Sequence, residues 1–210
     1  MLNYLISFVV SYLIGSIPTA YIFVKITSNV DIRSAGSGNV GGRNALDVTG
    51  KKWVGVAVVL LDLLKGSAAV VVSGMMNSSD ATSLSISMVS VVLGHCYPVW
   101  LGFKGGRGLA TAAGVFFVCS WVWVPLWLFL YFISGKMIKS IHSTSVVALV
   151  ATPLVFMLLP LNISEKVILK TFSYYEFIIA GSAVIAVCLS RHIEPIIQSY
   201  RDKSTNEKTA

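Results

Sequence analysis

The sequence predicts an all-α polytopic membrane protein with about seven transmembrane helices, some of them short. Of its 210 residues, 55% are hydrophobic and only 12% are charged, and the mean hydropathy is +0.79. Soluble domains carry about 25% charged residues, so half of the usual charge is missing. Long stretches without Asp, Glu, Lys or Arg each exceed the roughly 18 residues typical of a membrane span: Leu2–Val24, Ala81–Phe103, Gly108–Gly135 and Ser140–Ser164. This composition excludes a disordered chain, a disulfide scaffold and a soluble nucleic-acid-binding protein.

The net charge of +7 and the pI near 9.4 fit a membrane surface better than a nucleic acid. Lys and Arg lie mainly between the apolar stretches, where the positive-inside rule and anionic lipid headgroups favour them. We therefore expect the lipid bilayer, and no nucleic acid, as a partner. Cys96, Cys119 and Cys188 lie in or beside apolar runs, so we expect free thiols.

The first span is predicted over Leu2–Ile26, with Pro18 kinking its inner half because proline removes a backbone donor. No basic segment precedes it and Lys25 follows it, which predicts a retained span with the N-terminus outside rather than a cleaved signal peptide. A polar, glycine-rich loop is expected over Thr27–Lys52. The second span then covers Trp53–Met76.

The third span returns the chain to the inner face. The turn Asn77–Thr82 has no basic residue, which places it outside. The span then reaches His95, and a second glycine-rich loop, Gly102–Gly108, follows. Both glycine-rich loops are therefore expected on the same, inner face.

The number of the remaining crossings decides the topology. If Leu109–Ser134 is one span, followed by Ile141–Leu161 and Phe172–Ser190, the basic tail lies outside, against the positive-inside rule. A break near Ser120–Pro125 gives two helices and places the tail inside. Because two full spans need about 20 residues each, these two helices must be partial or extend past Lys139.

We therefore predict seven helices, with the N-terminus outside and the C-terminus inside. Residues 1–197 are expected to form one transmembrane domain, and residues 198–210 a polar cytoplasmic tail.

Glycine is concentrated in the two loops: of 17 glycines, five lie in residues 36–50 and six in residues 94–114. Glycines let backbone N–H groups converge on an anion, and a following helix adds its positive N-terminus. Lys104 and Arg107 flank the second loop immediately before a helix. Two such loops indicate two anionic groups held together. The alternative is that the glycines form tight turns and close helix crossings.

Histidine and intramembrane charge supply the other candidates. Arg191-His192-Ile193-Glu194, at the inner end of the last span, can bind a phosphate or accept a proton, or can anchor the helix among headgroups; His142 has the same two interpretations. Asp62 and Lys65 lie at i and i+3 within span two, which predicts a structural ion pair. No His or Cys spacing indicates zinc, so we expect no metal and no cofactor.

Four segments, in order and with matching spacing, resemble the bacterial integral-membrane glycerol-3-phosphate acyltransferases that use acyl phosphate. They are Gly36-Ser37-Gly38-Asn39-Val40-Gly41, Leu61-Asp62-Leu63-Leu64-Lys65-Gly66, the run from Gly94-His95 to Phe103-Lys104-Gly105-Gly106, and Arg191-His192-Ile193-Glu194. The resemblance covers Leu2 to about Ile197. It implies a bacterial plasma-membrane enzyme of seven helices with its active site on the cytoplasmic face.

The implied reaction transfers an acyl group from acyl phosphate to the 1-hydroxyl of sn-glycerol 3-phosphate, the first step of phospholipid synthesis. Such a site must hold two phosphates, align the hydroxyl and stabilise a tetrahedral oxyanion. We expect catalytic roles for Ser37, Lys104 and His192, with the proton passing to His192 or to the substrate phosphate. Substrate or phosphate binding is expected from a larger set: Gly36, Gly38, Asn39, Gly41, Arg43, Asn44, His95, Gly105, Gly106, Arg107, Gly108, Ser145 and Glu194.

The chain is a divergent member by this resemblance. Asp47 stands where the family has an arginine, Arg107 where it has a lysine, and Pro195 where it has an asparagine. We expect Arg43, in the same loop as Asp47, to supply the missing cation. The competing interpretation is that Arg43 faces headgroups and Asp47 pairs with Lys51 at i and i+4.

Two other functions remain open. A paralogue that binds anionic lipid precursors without turnover would be consistent with Asp47 and Pro195. An anion transporter would use the intramembrane charges, although no inverted repeat is visible in the sequence.

Overall fold

The computed structural model describes residues 1–76 and 80–197, and all regular structure within them is helical. The described α-helices are α1 Leu2–Ser16, α2 Thr19–Ser28, α3 Gly42–Thr49, α4 Lys52–Met76, α5 Ala81–Cys96, α6 Leu109–Cys119, α7 Trp123–Met137, α8 Ile141–Met157, α9 Leu161–Val167 and α10 Tyr174–Ser190. The prediction of an all-α chain is confirmed. Residues 77–79 of the predicted outer turn, and the tail 198–210, lie outside the described residues.

The first span is interrupted where Pro18 was predicted to kink it. Helix α1 ends at Ser16 and α2 begins at Thr19. The Ile17 carbonyl accepts hydrogen bonds from the Thr19 N–H and from Lys65 Nζ, both at 3.0 Å. A lysine from α4 therefore helps to satisfy the backbone at the break, as a polar group at membrane depth requires.

Among the described residues, three helical segments are long and apolar enough to cross a membrane: Leu2–Ser28, Lys52–Met76 and Ala81–Leu101. Helices α6, α8 and α10 are apolar but shorter. Large hydrophobic side chains such as Phe129, Phe132 and Ile179 are exposed on the outer surface, as expected of lipid-facing positions. The number of seven crossings stays a prediction.

The predicted break after α6 is confirmed, so residues 109–134 do not form one continuous helix. Helix α6 ends at Cys119 and α7 begins at Trp123. The Ser120 N–H closes the end of α6 on the Phe116 carbonyl, and the Cys119 carbonyl accepts from the Leu169 N–H, each at 2.7 Å. With 11 residues, α6 is about 16 Å long and covers about half of a bilayer core.

Two short helices correct the sequence prediction. The stretch expected as a polar loop contains α3, Gly42–Thr49, which is ended by Gly50 with its positive φ of 66°. The chain between the last two spans contains α9, although span six was expected to continue to Leu161. Arg43 and Asp47 are therefore one turn apart on a helix, not neighbours in a loop.

Small residues allow the long helices to approach closely. A Cβ on Gly15 of α1 would overlap the Val91 carbonyl of α5, and a Cβ on Gly66 of α4 would overlap the Thr111 carbonyl of α6. This is the packing that small residues permit between membrane helices. The predicted alternative of close helix crossings is thus correct for Gly94 and Gly114, which meet α1 and α4 in the same way.

Candidate functional site

A polar cavity of about 390 Å³ lies where the two glycine-rich loops meet the start of α8 and the end of α10. It brings together residues far apart in sequence. Its lining consists of Ser37, Asn39, Gly41, Gly42, Arg43, Asp47, Val59, Asp62, His95, Arg107, Gly108, Leu109, Ala110, Ile141, His142, Ser145 and His192. The three histidines of the chain all contribute to this cavity, although nothing in their spacing indicated it.

The first glycine-rich loop is held in shape by Asn44. Its buried side-chain amide donates to three loop carbonyls, and its Oδ1 accepts from the Ser37 N–H at 2.9 Å. Gly36 has a φ of +58°, and a Cβ there would overlap Asn44 Oδ1. Asn44 and Gly36 therefore shape the loop, while Ser37 and Asn39 line the cavity. The side chain of Asn44, predicted to bind substrate, is already occupied by these hydrogen bonds.

The second loop uses its glycines differently from the expectation. The N–H groups of Gly105 and Gly106 donate to the carbonyls of Cys96 and His95, at 3.2 and 3.1 Å. Their own carbonyls accept from the Arg191 guanidinium at 3.1 and 3.3 Å. Neither glycine is among the described residues lining the cavity. The two amides that were expected to cradle phosphate instead fasten the loop to α5.

Gly108 is the glycine of this loop that does line the cavity. It has a φ of +83° at the N-terminus of α6, and a Cβ there would lie 2.9 Å from the Cys96 sulfur. No side chain among the described residues caps α6. The unpaired N–H groups and the dipole of the first turn therefore face the cavity, where Leu109 and Ala110 also lie, and they favour an anion.

Lys104 and Arg107 differ in burial and in their position relative to the cavity. Lys104 is exposed and is not among the described lining residues. Gly102 and Phe103, just before it, have positive φ angles of 60° and 63°. Arg107 is partly buried, lines the cavity, and makes no ion pair with any described residue. The structure thus places Arg107, rather than the predicted catalytic Lys104, at the start of α6.

The predicted ion pair of α4 forms beneath the cavity. Asp62 Oδ1 lies 2.7 Å from Lys65 Nζ and also accepts from Thr19 Oγ1 at 2.6 Å. His95 Nδ1 lies 3.5 Å from the same oxygen. These buried partners neutralise a charge at membrane depth and join α2, α4 and α5. Asp62 forms part of the cavity wall as well, which the structural prediction for the pair did not include. His95, predicted to bind substrate, also lines the cavity.

His192 is buried at the end of α10, with its Nδ1 2.8 Å from the Cys188 carbonyl. Because a carbonyl only accepts, Nδ1 carries the proton, and in the neutral ring Nε2 is left as an acceptor. Burial lowers the pKa of His192, the Cys188 carbonyl opposes this shift, and the charge of Arg107 lowers the pKa further. His192 is therefore a neutral base at neutral pH. Glu194, predicted to bind substrate, is exposed and not among the described lining residues.

Arg43 and Asp47 form an ion pair on α3 at the rim of the cavity. Arg43 Nε lies 3.2 Å from Asp47 Oδ2, and the two side chains are 72% and 51% exposed. The competing pair of Asp47 with Lys51 is wrong, since Lys51 Nζ donates to the Thr27 carbonyl at 3.3 Å and is in no ion pair among the described residues. Ser145 also lines the cavity, with its hydroxyl donating to the Ile141 carbonyl at 2.8 Å.

An apolar groove of about 290 Å³ adjoins the polar cavity. The two share Val59, Leu109 and Ala110, so the groove begins at the N-terminus of α6. Phe116, Trp123, Trp127 and Leu149 are among its other walls. Within the described residues, no group of three or more His, Cys, Asp or Glu side chains is arranged to hold a metal ion. The absence of a metal requirement stays a prediction.

Apolar helices and a cation-lined cavity beside an apolar groove define a helical membrane protein. A family model described as "Glycerol-3-phosphate acyltransferase" matches residues 5–201. The chain belongs to the glycerol-3-phosphate acyltransferase family.

Curated relatives and solved structures agree with this assignment. A glycerol-3-phosphate acyltransferase of Gluconobacter oxydans (strain 621H) is 44% identical over 113 residues, 53% of this chain and 53% of the relative. One of Bartonella quintana (strain Toulouse) is 37% identical over 153 residues, 70% of each. The chain thus matches about half the length of the first relative and more of the second.

The fold resembles that of two crystal structures of PlsY, an integral membrane glycerol 3-phosphate acyltransferase. In its glycerol 3-phosphate form the TM-score is 0.78 at 29% identity, covering 95% of this chain and 92% of PlsY. In its lysophosphatidic acid form the TM-score is 0.77 at 28% identity, with the same coverage. The present chain is an integral membrane protein with this fold.

Proposed function

We propose that this protein transfers an acyl group from acyl phosphate to the 1-hydroxyl of glycerol 3-phosphate, forming 1-acylglycerol 3-phosphate and phosphate. The observation that carries the proposal is the continuity of the cationic cavity with the apolar groove through Leu109 and Ala110. An acyl phosphate is apolar at one end and anionic at the other, so its chain suits the groove and its phosphate suits the α6 N-terminus. The relatives are named glycerol-3-phosphate acyltransferases, and we therefore propose glycerol 3-phosphate as the acceptor of the acyl group.

The chemistry needs no covalent intermediate with the protein. The acceptor hydroxyl attacks the acyl carbonyl carbon, a new C–O bond forms, and the bond from that carbon to the phosphate oxygen breaks to release phosphate. The α6 N-terminus and Arg107 stabilise negative charge on the oxyanion and on the leaving phosphate. The hydroxyl proton passes to Nε2 of His192 or to the departing phosphate. Binding both substrates in one cavity supplies the alignment. We propose that no cofactor takes part.

We also propose a bacterial plasma-membrane location with the cavity at the cytoplasmic face, the N-terminus outside and the C-terminus inside. The distribution of Lys and Arg supports this orientation. Single cysteines at Ser78, Lys104 and Lys203 test it with an impermeant thiol reagent on intact cells, since the three native cysteines are buried. Labelling of Ser78→Cys alone is expected, and labelling of Lys104→Cys or Lys203→Cys would contradict the orientation.

The reaction is tested with purified protein in detergent, acyl phosphate and glycerol 3-phosphate. Equimolar release of 1-acylglycerol 3-phosphate and phosphate is expected, and Arg107→Ala should reduce it strongly. Binding of glycerol 3-phosphate without turnover would favour the non-catalytic paralogue. Phosphate flux into sealed proteoliposomes without acyl transfer would favour a transporter.

A further inference from the structure

The first turn of α8 places a second imidazole opposite the predicted proton acceptor. His142 and His192 both line the polar cavity, and their ring centroids are 6.3 Å apart with the rings inclined at 65°. The two residues come from different helices, His142 from the first turn of α8 and His192 from just after the end of α10. The separation of the rings leaves both of them facing the same polar space.

His142 has no structural task that would explain its position. Its ring makes no hydrogen bond and no ion pair with any described residue, and the side chain is only partly buried. The helix start is instead secured by Ser140, whose Oγ accepts from the Ser143 N–H at 3.4 Å and whose carbonyl accepts from Thr144 Oγ1 at 2.9 Å. The backbone at His142 is therefore fixed while its ring nitrogens stay available.

The charge balance of the cavity leaves positive charge without a partner. Of the described carboxylates that line it, Asp47 is paired with Arg43 and Asp62 with Lys65. Arg107 is in no ion pair with a described residue. Besides His142, the charged or titratable groups that line the cavity are thus Arg107 without an ion pair, the two histidines His95 and His192, and the already paired Arg43, Asp47 and Asp62. An anion is the ligand that this arrangement lacks.

We propose that His142 binds a substrate phosphate together with Arg107, and that it takes up a proton when the phosphate enters. The proposal deepens the proposed function by naming a ligand of that site. A phosphate dianion placed beside an imidazole favours its protonated form, and both ring nitrogens then donate. His192, whose Nδ1 is held by the Cys188 carbonyl, keeps Nε2 as an acceptor. His142 thus binds the phosphate, and His192 accepts the proton.

Calorimetry of glycerol 3-phosphate and inorganic phosphate binding tests this in two buffers of different ionisation enthalpy at pH 7. Because phosphate itself titrates near neutral pH, the proton count is compared between variants, and the parent protein is expected to take up a fraction of a proton more for each phosphate bound than His142→Gln does. His142→Gln can donate a hydrogen bond but does not titrate, so this additional uptake should be absent in it. Lys139→Gln is the matched control, because it removes an exposed cation three residues away that is outside the cavity, and it should leave the uptake unchanged.

Steady-state kinetics show which phosphate is bound. His142→Gln is expected to raise the KM of one substrate about tenfold with a smaller change in kcat, since an ionic hydrogen bond is lost in ground and transition states alike. An effect on glycerol 3-phosphate assigns the acceptor phosphate, and an effect on acyl phosphate assigns the donor. His142→Lys should keep the lower KM and lose the pH dependence of binding.

Unchanged proton uptake in His142→Gln, with both KM values within about twofold of the parent, would overturn the proposal. If His142→Gln does not fold, His142→Lys decides, because proton uptake in that variant equal to that of the parent contradicts the assignment. The binding measurement is separate from turnover. A parent protein that takes up protons with phosphate but transfers no acyl group would refute the proposed reaction and leave the role of His142 standing.

Discussion

Arg43 is expected to bind the phosphate of glycerol 3-phosphate at the cavity rim, and Arg43→Ala should raise the apparent KM for this substrate. In the structure, Arg43 Nε lies 3.2 Å from Asp47 Oδ2. To reach a phosphate, the guanidinium must turn from Asp47 or bind both anions. The ion pair thus competes with the substrate. The expected change in KM therefore depends on the difference between the free energy of the phosphate contact and that of the ion pair.

The magnitude follows from the exposure of the two side chains. A charge-assisted hydrogen bond to phosphate contributes about 1.5–3 kcal/mol. An ion pair whose members are 72% and 51% exposed is worth about 0.2–1 kcal/mol. The difference is about 1–2 kcal/mol, so Arg43→Ala should raise KM roughly 5- to 30-fold. Because the contact exists in ground and transition states, kcat should change less. Asp47→Asn, which removes the competitor, should lower KM by up to about fivefold.

The assay is initial-rate kinetics in detergent with saturating acyl phosphate and varied glycerol 3-phosphate. Lys51→Ala is the control, because this exposed cation near the end of α3 contacts the Thr27 carbonyl and lies outside the cavity. Asp47→Arg should leave activity intact or improve it. If Arg43→Ala has the KM of the parent enzyme while Lys51→Ala does too, Arg43 only faces headgroups, and its assignment to the site is wrong.

The remaining predictions concern acid–base chemistry, charge and metal. Because burial lowers the pKa of His192 below 6.5, kcat/KM should stay level at neutral pH and fall as the pH drops through that lowered pKa. If the same fall is seen in His192→Gln, the titrating group is not His192. Arg107→Ala should reduce kcat at least tenfold, while Lys104→Ala should change it less than twofold, and equal losses would contradict the placement of the two cations. Lys65→Met should destabilise the protein by about 3–5 kcal/mol, since it leaves Asp62 buried without its lysine partner. Thermal unfolding in detergent measures this loss of stability. The double variant Asp62→Asn/Lys65→Met should recover part of it. Turnover should survive EDTA, and activity lost in EDTA and restored by one divalent ion would refute metal independence.

The spans are the part of the fold that local sequence specifies. The proline at position 18 was enough to predict the interruption of the first span, because a kink depends on neighbouring residues. The break after α6 followed instead from the distribution of Lys and Arg along the chain, through the positive-inside rule. Helix α3 was missed because its glycine-rich start resembles a loop, although Gly50 beyond its end is a usual stop signal. Glycine content alone does not distinguish a helix cap from an anion-binding turn.

The site was predictable in its composition but not in its geometry. Lys104 and Arg107 flank the same pair of glycines, and their spacing gives no reason to prefer either. The backbone just before Lys104 is left-handed at Phe103, and a non-glycine residue with positive φ has no reliable sequence signal. Arg107 did carry one usable signal, its place directly before the apolar run that becomes α6. For His142 the sequence left two interpretations open, because its neighbour in the cavity, His192, comes from a distant helix end.

We expect the cations of the family to be rearranged in this chain rather than lost. Asp47 stands where the resemblance leads one to expect arginine, yet Arg43 lies one turn earlier on α3 and on the same side of the helix. Arg107 stands for a lysine at the α6 N-terminus, and its planar guanidinium can bind phosphate through two donors at once. A cavity that several elements surround can receive a cation from any of them. We therefore expect that substitution of a single motif position leaves positive charge in the cavity, and that activity depends on the charge of the cavity as a whole.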